Sequence, residues 1–171
     1  MQRIILIYGV LAGLVVISCM TLGIELGRSQ AWLGFLVMFI AFGSIYIAIK
    51  HHRDDELGGL ISFSRALLIG LGISAIAGLV YVVVWEVYLA ATDFGFVDDY
   101  VDAMVAGKEA AGASDSELAQ IARDGDRFRA QYANPFFRLP MTFVEIFPVG
   151  LLVSIVSAAL LGNRKSKPQS E

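Results

Sequence analysis

Two carboxylic acids stand where acids are expensive. Glu86 is the only charged residue between Ala66 and Thr92, and Glu145 the only one between Leu139 and Asn163. A glutamate inside a membrane-length apolar run can hydrogen-bond to a neighbouring helix, exchange a proton or attract a cation, and such residues mark candidate functional sites by default. Glu86 precedes the polar boundary at Asp93 by seven residues, and Glu145 follows the one at Arg138 by seven. Both boundaries border the same connecting segment. The spacing therefore predicts the two acids at one depth, about 10 Å below the outer polar edge at 1.5 Å per residue, with Glu25 above them at the rim. Pro148 lies three residues beyond Glu145. A proline there removes a helical hydrogen bond and frees the carbonyl of Val144, which makes a polar pocket beside Glu145 a candidate site. At 100° per residue Glu86 shares a face with Gly72, Ala75 and Leu79, and small-residue faces usually meet protein. Glu86 is expected to point inward. Glu145 falls about 180° from Ser154, so unless Pro148 resets the rotation it points away from the small residues of its own helix.

The elements that must carry these acids follow from composition. The 171 residues are 57% hydrophobic and 17% charged, with mean hydropathy +0.68, against about 25% charged residues in a soluble domain. The apolar residues form four runs, each near the 20 or so residues that a spanning helix needs. Spans are predicted at about 4–24, 31–49, 64–91 and 139–161. Only helices satisfy their own backbone inside a bilayer without closing a barrel, so the fold class expected is an all-α, four-span membrane domain over 1–165, with a short polar tail at 166–171. Helix-packing positions are read from small residues four apart, or nearly so: Gly9 and Gly13 in the first span, Gly70, Ser74 and Gly78 in the third, Gly150, Ser154 and Ala158 in the fourth. Gly23 and Gly27 repeat the spacing.

Charge fixes an expected orientation. Seven of the thirteen basic residues (Arg3, Lys50, Arg53, Arg65, Arg164, Lys165, Lys167) lie in short segments beside the spans, and four of the other six lie deep in the long 93–138 loop. Basic residues in short flanking segments are the ones that set topology, so both termini are predicted cytoplasmic and 93–138 outside. Trp32, Trp85 and Tyr88 fall at the predicted outer interface, as an aromatic belt would. The loop itself reads as a helical hairpin. Val97, Tyr100, Val101, Met104 and Val105 have helical spacing, as do Leu118, Ile121, Ala122, Gly125, Phe128 and Tyr132. Ser114-Asp115-Ser116-Glu117 matches a capping box, and Asn134-Pro135 is read as the stop of the second helix. The two stripes can pack on each other, on the mouth of the bundle or on a partner.

Other chemistry is sparse. No phosphate-binding loop, dinucleotide fingerprint or zinc-ligand set occurs, so no cofactor and no metal is expected, and a net charge of −3 argues against nucleic acid. His51-His52-Arg53-Asp54-Asp55-Glu56 holds possible metal ligands, but the flanking Gly58-Gly59 favours a solvated turn, with Leu57, Ile61 and Phe63 lying in the interface. Val16-Ile17-Ser18-Cys19 fits a lipoprotein signal. Gly23 and Ile24 continue the apolar run, which favours an ordinary buried cysteine.

One resemblance covers nearly the whole chain, from Arg3 to Lys165. Glu56-Leu57-Gly58-Gly59-Leu60-Ile61-Ser62-Phe63, followed by Ala66, Gly70, Tyr81 and Trp85-Glu86-Val87-Tyr88, resembles a bacterial membrane-protein family known as domain of unknown function 4199. Asn134-Pro135 and Glu145-Ile146-Phe147-Pro148-Val149-Gly150 through Ser154 and Ser157-Ala158 are similar to its last span. The resemblance implies four helices in the bacterial inner membrane and carries no activity. It also weighs against a cleaved lipoprotein signal, because the first span belongs to the resemblance.

Three functions compete. The first is a non-enzymatic structural or accessory subunit that acts by helix packing and its outer hairpin, in contact with the bilayer and with a homo-oligomer or membrane-protein partner. The second is a small oligomeric transporter or cation- or proton-coupled carrier using Glu86 and Glu145. The third, an intramembrane enzyme with the two acids as an acid–base pair, ranks last because no nucleophile or metal accompanies them.

Overall fold

A computed structural model describes residues 1–26 and 31–162. Gly27, Arg28 and the basic tail residues Arg164, Lys165 and Lys167 lie outside the described residues. Six helices follow in order: α1 (Gln2–Glu25), α2 (Ala31–His51), α3 (Phe63–Ala91), α4 (Gly95–Ala110), α5 (Asp115–Tyr132) and α6 (Pro135–Leu161). No strand occurs among the described residues. Four helical segments are long and apolar enough to cross a membrane: Gln2–Glu25, Trp32–Glu56, Phe63–Ala91 and Pro135–Leu161.

Two boundaries differ from expectation. The second span does not end at residue 49. The helix runs on through a π-helical turn, His52–Glu56, and His52 is buried at 1% exposure. This stretch is helix and not a turn, but His51, Asp54, Asp55 and Glu56 remain exposed, and only His52 is buried. Its ladder closes at Gly58 and Gly59, whose φ values of +67° and +91° lie in the left-handed region that glycine enters without strain. The fourth helix begins four residues earlier than 139. Asn134 caps it, its side chain accepting from the Phe136 N–H at 3.0 Å, and Pro135 takes the first helical position, where the missing N–H costs nothing. Asn134-Pro135 therefore both ends α5 and starts α6.

The chain divides into two compact units, Met1–Val83 with Phe143–Glu171, and Val84–Thr142. In the first, small residues set how closely helices approach. A Cβ on Gly13 of α1 would lie 2.7 Å from the Ala77 carbonyl oxygen, and one on Gly9 2.6 Å from Ile76 Cβ. Gly70 meets Ser154, Gly150 meets Ser74 and Phe42, and Gly78 meets the Phe143 ring. Ser74 and Ser154 are both fully buried and sit 3.2 Å apart, each also donating to the carbonyl one turn back, of Gly70 and of Gly150. Ala158 is fully buried. At Gly23, with the same spacing, no described residue lies within 4 Å of the position its Cβ would occupy. Large apolar side chains such as Leu11, Ile40, Leu68 and Leu160 face outward. Helices apolar all round are what a bilayer requires. Cys19 is on this exposed surface, not buried.

Candidate functional site

The second unit holds Glu86, and its environment is built from three helix ends. Glu86 lies near the end of α3, half-buried. Two residues in the left-handed region, Asp93 (φ 48°) and Phe94 (φ 60°), turn the chain from α3 into α4. Aspartate tolerates that conformation and phenylalanine does so only at a cost. The turn brings the Phe94 ring beneath the guanidinium of Arg138, 5.1 Å from centroid to carbon. Arg138 stands on the second turn of α6, a position fixed by the Asn134-Pro135 start. It is 5% exposed although it is a full cation.

Every face of Arg138 is occupied. Its Nε donates to Glu86 Oε1 and its Nη2 to Oε2, both at 2.7 Å, and its Nη1 donates to the Tyr132 carbonyl at 2.7 Å. The first two bonds form the parallel fork that makes arginine–carboxylate pairs the strongest of the charge-assisted kind. The Tyr132 ring lies 5.8 Å from the guanidinium carbon on a further side. Tyr132 in turn accepts from Trp85 Nε1 through its hydroxyl at 2.8 Å. Trp85 is 5% exposed. It is therefore a buried structural residue, not a member of an interfacial belt. Glu86 does not offer a free carboxylate to a cavity. It is the acceptor half of a closed ion pair.

An aromatic string continues from this pair. Trp85 meets Phe96 edge-on at 4.9 Å, and Phe96, Tyr100, Phe128 and Tyr132 follow with centroids 5.3–6.1 Å apart. The apolar stripes of α4 and α5 pack on each other, with Gly125 set against Val101, which is 1% exposed. Across the same seam Arg129 reaches Asp98 at 2.7 Å and Asp102 at 3.0 Å, and along its own helix it reaches Asp126 at 3.0 Å. Its pKa is raised, first by the hydrogen bond to Asp98. These aspartates are largely exposed, so each pair contributes little by itself. Two open hollows flank the helix pair. One of about 400 Å³ is lined by Lys108, Gly112, Glu117, Ile121 and Asp124, and one of about 360 Å³ by Val105, Glu109, Ala122 and Arg129. Neither gathers an acid, a base and a nucleophile. Among the described residues no three histidine, cysteine or acidic side chains are placed to hold a metal ion.

Glu145 belongs to the first unit and is exposed. Pro148 is exposed as well, while Ser154, Ser157 and Ala158 are buried. α6 continues through Pro148, so the rotation is not reset, and Glu145 points away from the small-residue interface. It has no hydrogen bond or ion pair among the described residues. Glu25 closes the last turn of α1 and is exposed. The two acids thus have different surroundings. One is locked to an arginine that spacing alone had placed at a loop boundary, and the other stands alone on the outer face of its helix. Asn134-Pro135, read as a helix start, would have put Arg138 inside a helix.

A family model described as "Protein of unknown function (DUF4199)" matches residues 6–163. The chain belongs to this family. The DUF4199 match takes in α2, α3 and α6, α1 from residue 6 onward, and both acids. No curated protein and no solved structure matches the chain.

Proposed function

We propose that this DUF4199 member is a multi-pass integral membrane protein with a structural or accessory role, not an enzyme. In this reading it crosses the bacterial inner membrane four times, with both termini inside. The α4–α5 hairpin stands outside as the surface offered to other proteins. The observation that carries the proposal is the closed Glu86–Arg138 pair. The acid best placed to work as a proton or cation site has both oxygens committed at 2.7 Å. The arginine has its third donor on a backbone carbonyl. A pair so satisfied orders three helix ends and ties both oxygens of the carboxylate to one fixed cation.

Reconstitution tests this directly. Purified full-length protein in liposomes loaded with a pH-sensitive dye is expected to give no proton or cation flux above that of empty liposomes. The Glu86→Gln variant should be less stable in detergent and equally silent in flux. A flux present in the wild type and abolished by Glu86→Gln would replace this proposal with the carrier reading.

A further inference from the structure

Glu145 is a carboxyl on the outward face of a helix long and apolar enough to span a bilayer, and among the described residues no side chain answers it. A lone acid facing lipid is costly and needs a partner. The residues around it show where that partner lies. Glu145, Pro148, Leu152, Ile155 and Ala159 are all exposed. They succeed one another at steps of three, four, three and four. This is the alternation of a and d positions in a coiled-coil seam, with Glu145, Leu152 and Ala159 at a and Pro148 and Ile155 at d. The seam lies on the side of α6 opposite the buried Ser154. α6 thus has one face buried within the chain and a second, regularly spaced face that no described residue covers.

We infer that this second face of α6 docks a second copy of the same chain, with the two Glu145 carboxyls paired across a two-fold axis. Three points select that occupant. Copies inserted in one membrane share an orientation, so their α6 helices meet in parallel and Glu145 reaches its counterpart at equal depth. A two-fold interface brings a residue on the axis against itself, and a protonated carboxylic acid is both donor and acceptor, so it complements its own copy. The cation nearest in sequence, Arg138, is already committed to Glu86. One polar residue at an a position is also the known device for fixing register and oligomer state. The inference rests on α6 being a membrane span, but not on the absence of enzymatic activity.

The test uses full-length protein in native membranes, with Cys19→Ser as the background because Cys19 is exposed. Leu152→Cys should crosslink on oxidation to twice the chain mass, and Ile40→Cys, exposed on α2, should not. In lipid nanodiscs Glu145→Gln, which keeps a donor and an acceptor, should remain dimeric. Glu145→Leu should weaken the dimer about tenfold, the factor carried by roughly 1.4 kcal/mol. A monomeric wild type overturns the proposal. So does a Leu152→Cys product with a foreign protein in place of a second copy, or a dimer equally tight in Glu145→Leu. Alkaline carbonate extraction is run alongside. Release of the chain from the membrane would overturn the membrane reading itself and the docking with it, whereas a retained but monomeric chain overturns the docking alone.

Discussion

Arg138 and Glu86 meet through a two-bond fork with aromatic rings at 5.1 and 5.8 Å, and each group at this centre depends on its neighbour being present. The Trp85 indole N–H is buried and donates to the Tyr132 hydroxyl. Tyr132→Phe keeps the ring and deletes the acceptor, so it should destabilise the protein by about 1–3 kcal/mol, the cost of leaving a buried donor unsatisfied. Thermal unfolding in detergent, followed by Trp fluorescence, measures this. At the start of α5, Glu117 accepts from the Ser114 N–H at 2.8 Å, and the Ser114 hydroxyl accepts from the Glu117 N–H at 3.4 Å. The backbone N–H, first, and the hydroxyl hold the Glu117 carboxyl below its ordinary pKa. A depressed folded pKa gives stabilisation that is complete above the unfolded value, near ~4.3, and is lost as pH falls through the lower folded value. Hydrogen exchange at the first amides of α5 should therefore be flat above about pH 5 once corrected for intrinsic rate. Protection should fall as the pH drops below the ordinary glutamate range; Ser114→Ala, which keeps the backbone N–H and loses only the hydroxyl, should reduce that pH dependence, and Glu117→Gln should abolish it.

Among the elements, equal sequence signals led to unequal structures. Gly9–Gly13 and Gly23–Gly27 have the same spacing, yet a Cβ at Gly13 would collide with the Ala77 carbonyl oxygen, and one at Gly23 would meet open space. Gly13→Ala should cost about 1–3 kcal/mol, as overpacking does, because a helix backbone cannot rotate aside like a side chain. Gly23→Ala should be neutral, or stabilising by up to about 1 kcal/mol through helix propensity. Parallel melting curves of the two variants check the contrast. The four spans were legible in the sequence because hydropathy over twenty residues is a local property. The packing positions Gly70, Ser74, Gly150 and Ser154 were legible because small residues have few other uses in a span. The start of α6 was misplaced because Arg138 looked like the end of a polar loop, and a charge in the second turn of a membrane helix is tolerated only when a distant residue neutralises it. The π turn at His52–Glu56 was missed for a related reason. Six polar residues in a row read as a solvent-facing turn; His51, Asp54, Asp55 and Glu56 are indeed exposed, and only the burial of His52 departs from that pattern.

For the molecule as a whole, the positive charges of the short flanking segments, the acids of the 93–138 region and the four apolar helices give one expected topology. Single cysteines test it in the Cys19→Ser background. In sealed right-side-out vesicles a membrane-impermeant maleimide should label Asp115→Cys and should leave Asp54→Cys unlabelled until the vesicles are opened. The reverse pattern would invert the chain and place α4–α5 inside. The fate of the two acids was only half legible at this scale. Helix geometry correctly turned Glu145 away from Ser154. Nothing local could join Glu86 to Arg138, because the two lie 52 residues apart and meet only through the folding of the intervening helices. The account stands most directly on that pair being structural. A double-mutant cycle over Glu86→Leu, Arg138→Met and the double variant, read as unfolding free energies in one detergent, measures it. Each single variant leaves a charge without its partner and should lose about 3 kcal/mol, near the low end for a broken buried pair because Glu86 keeps 28% of its surface. The double variant should be more stable than either single one, which corresponds to a coupling of about 3 kcal/mol or more. Single losses that simply add in the double variant would contradict the account.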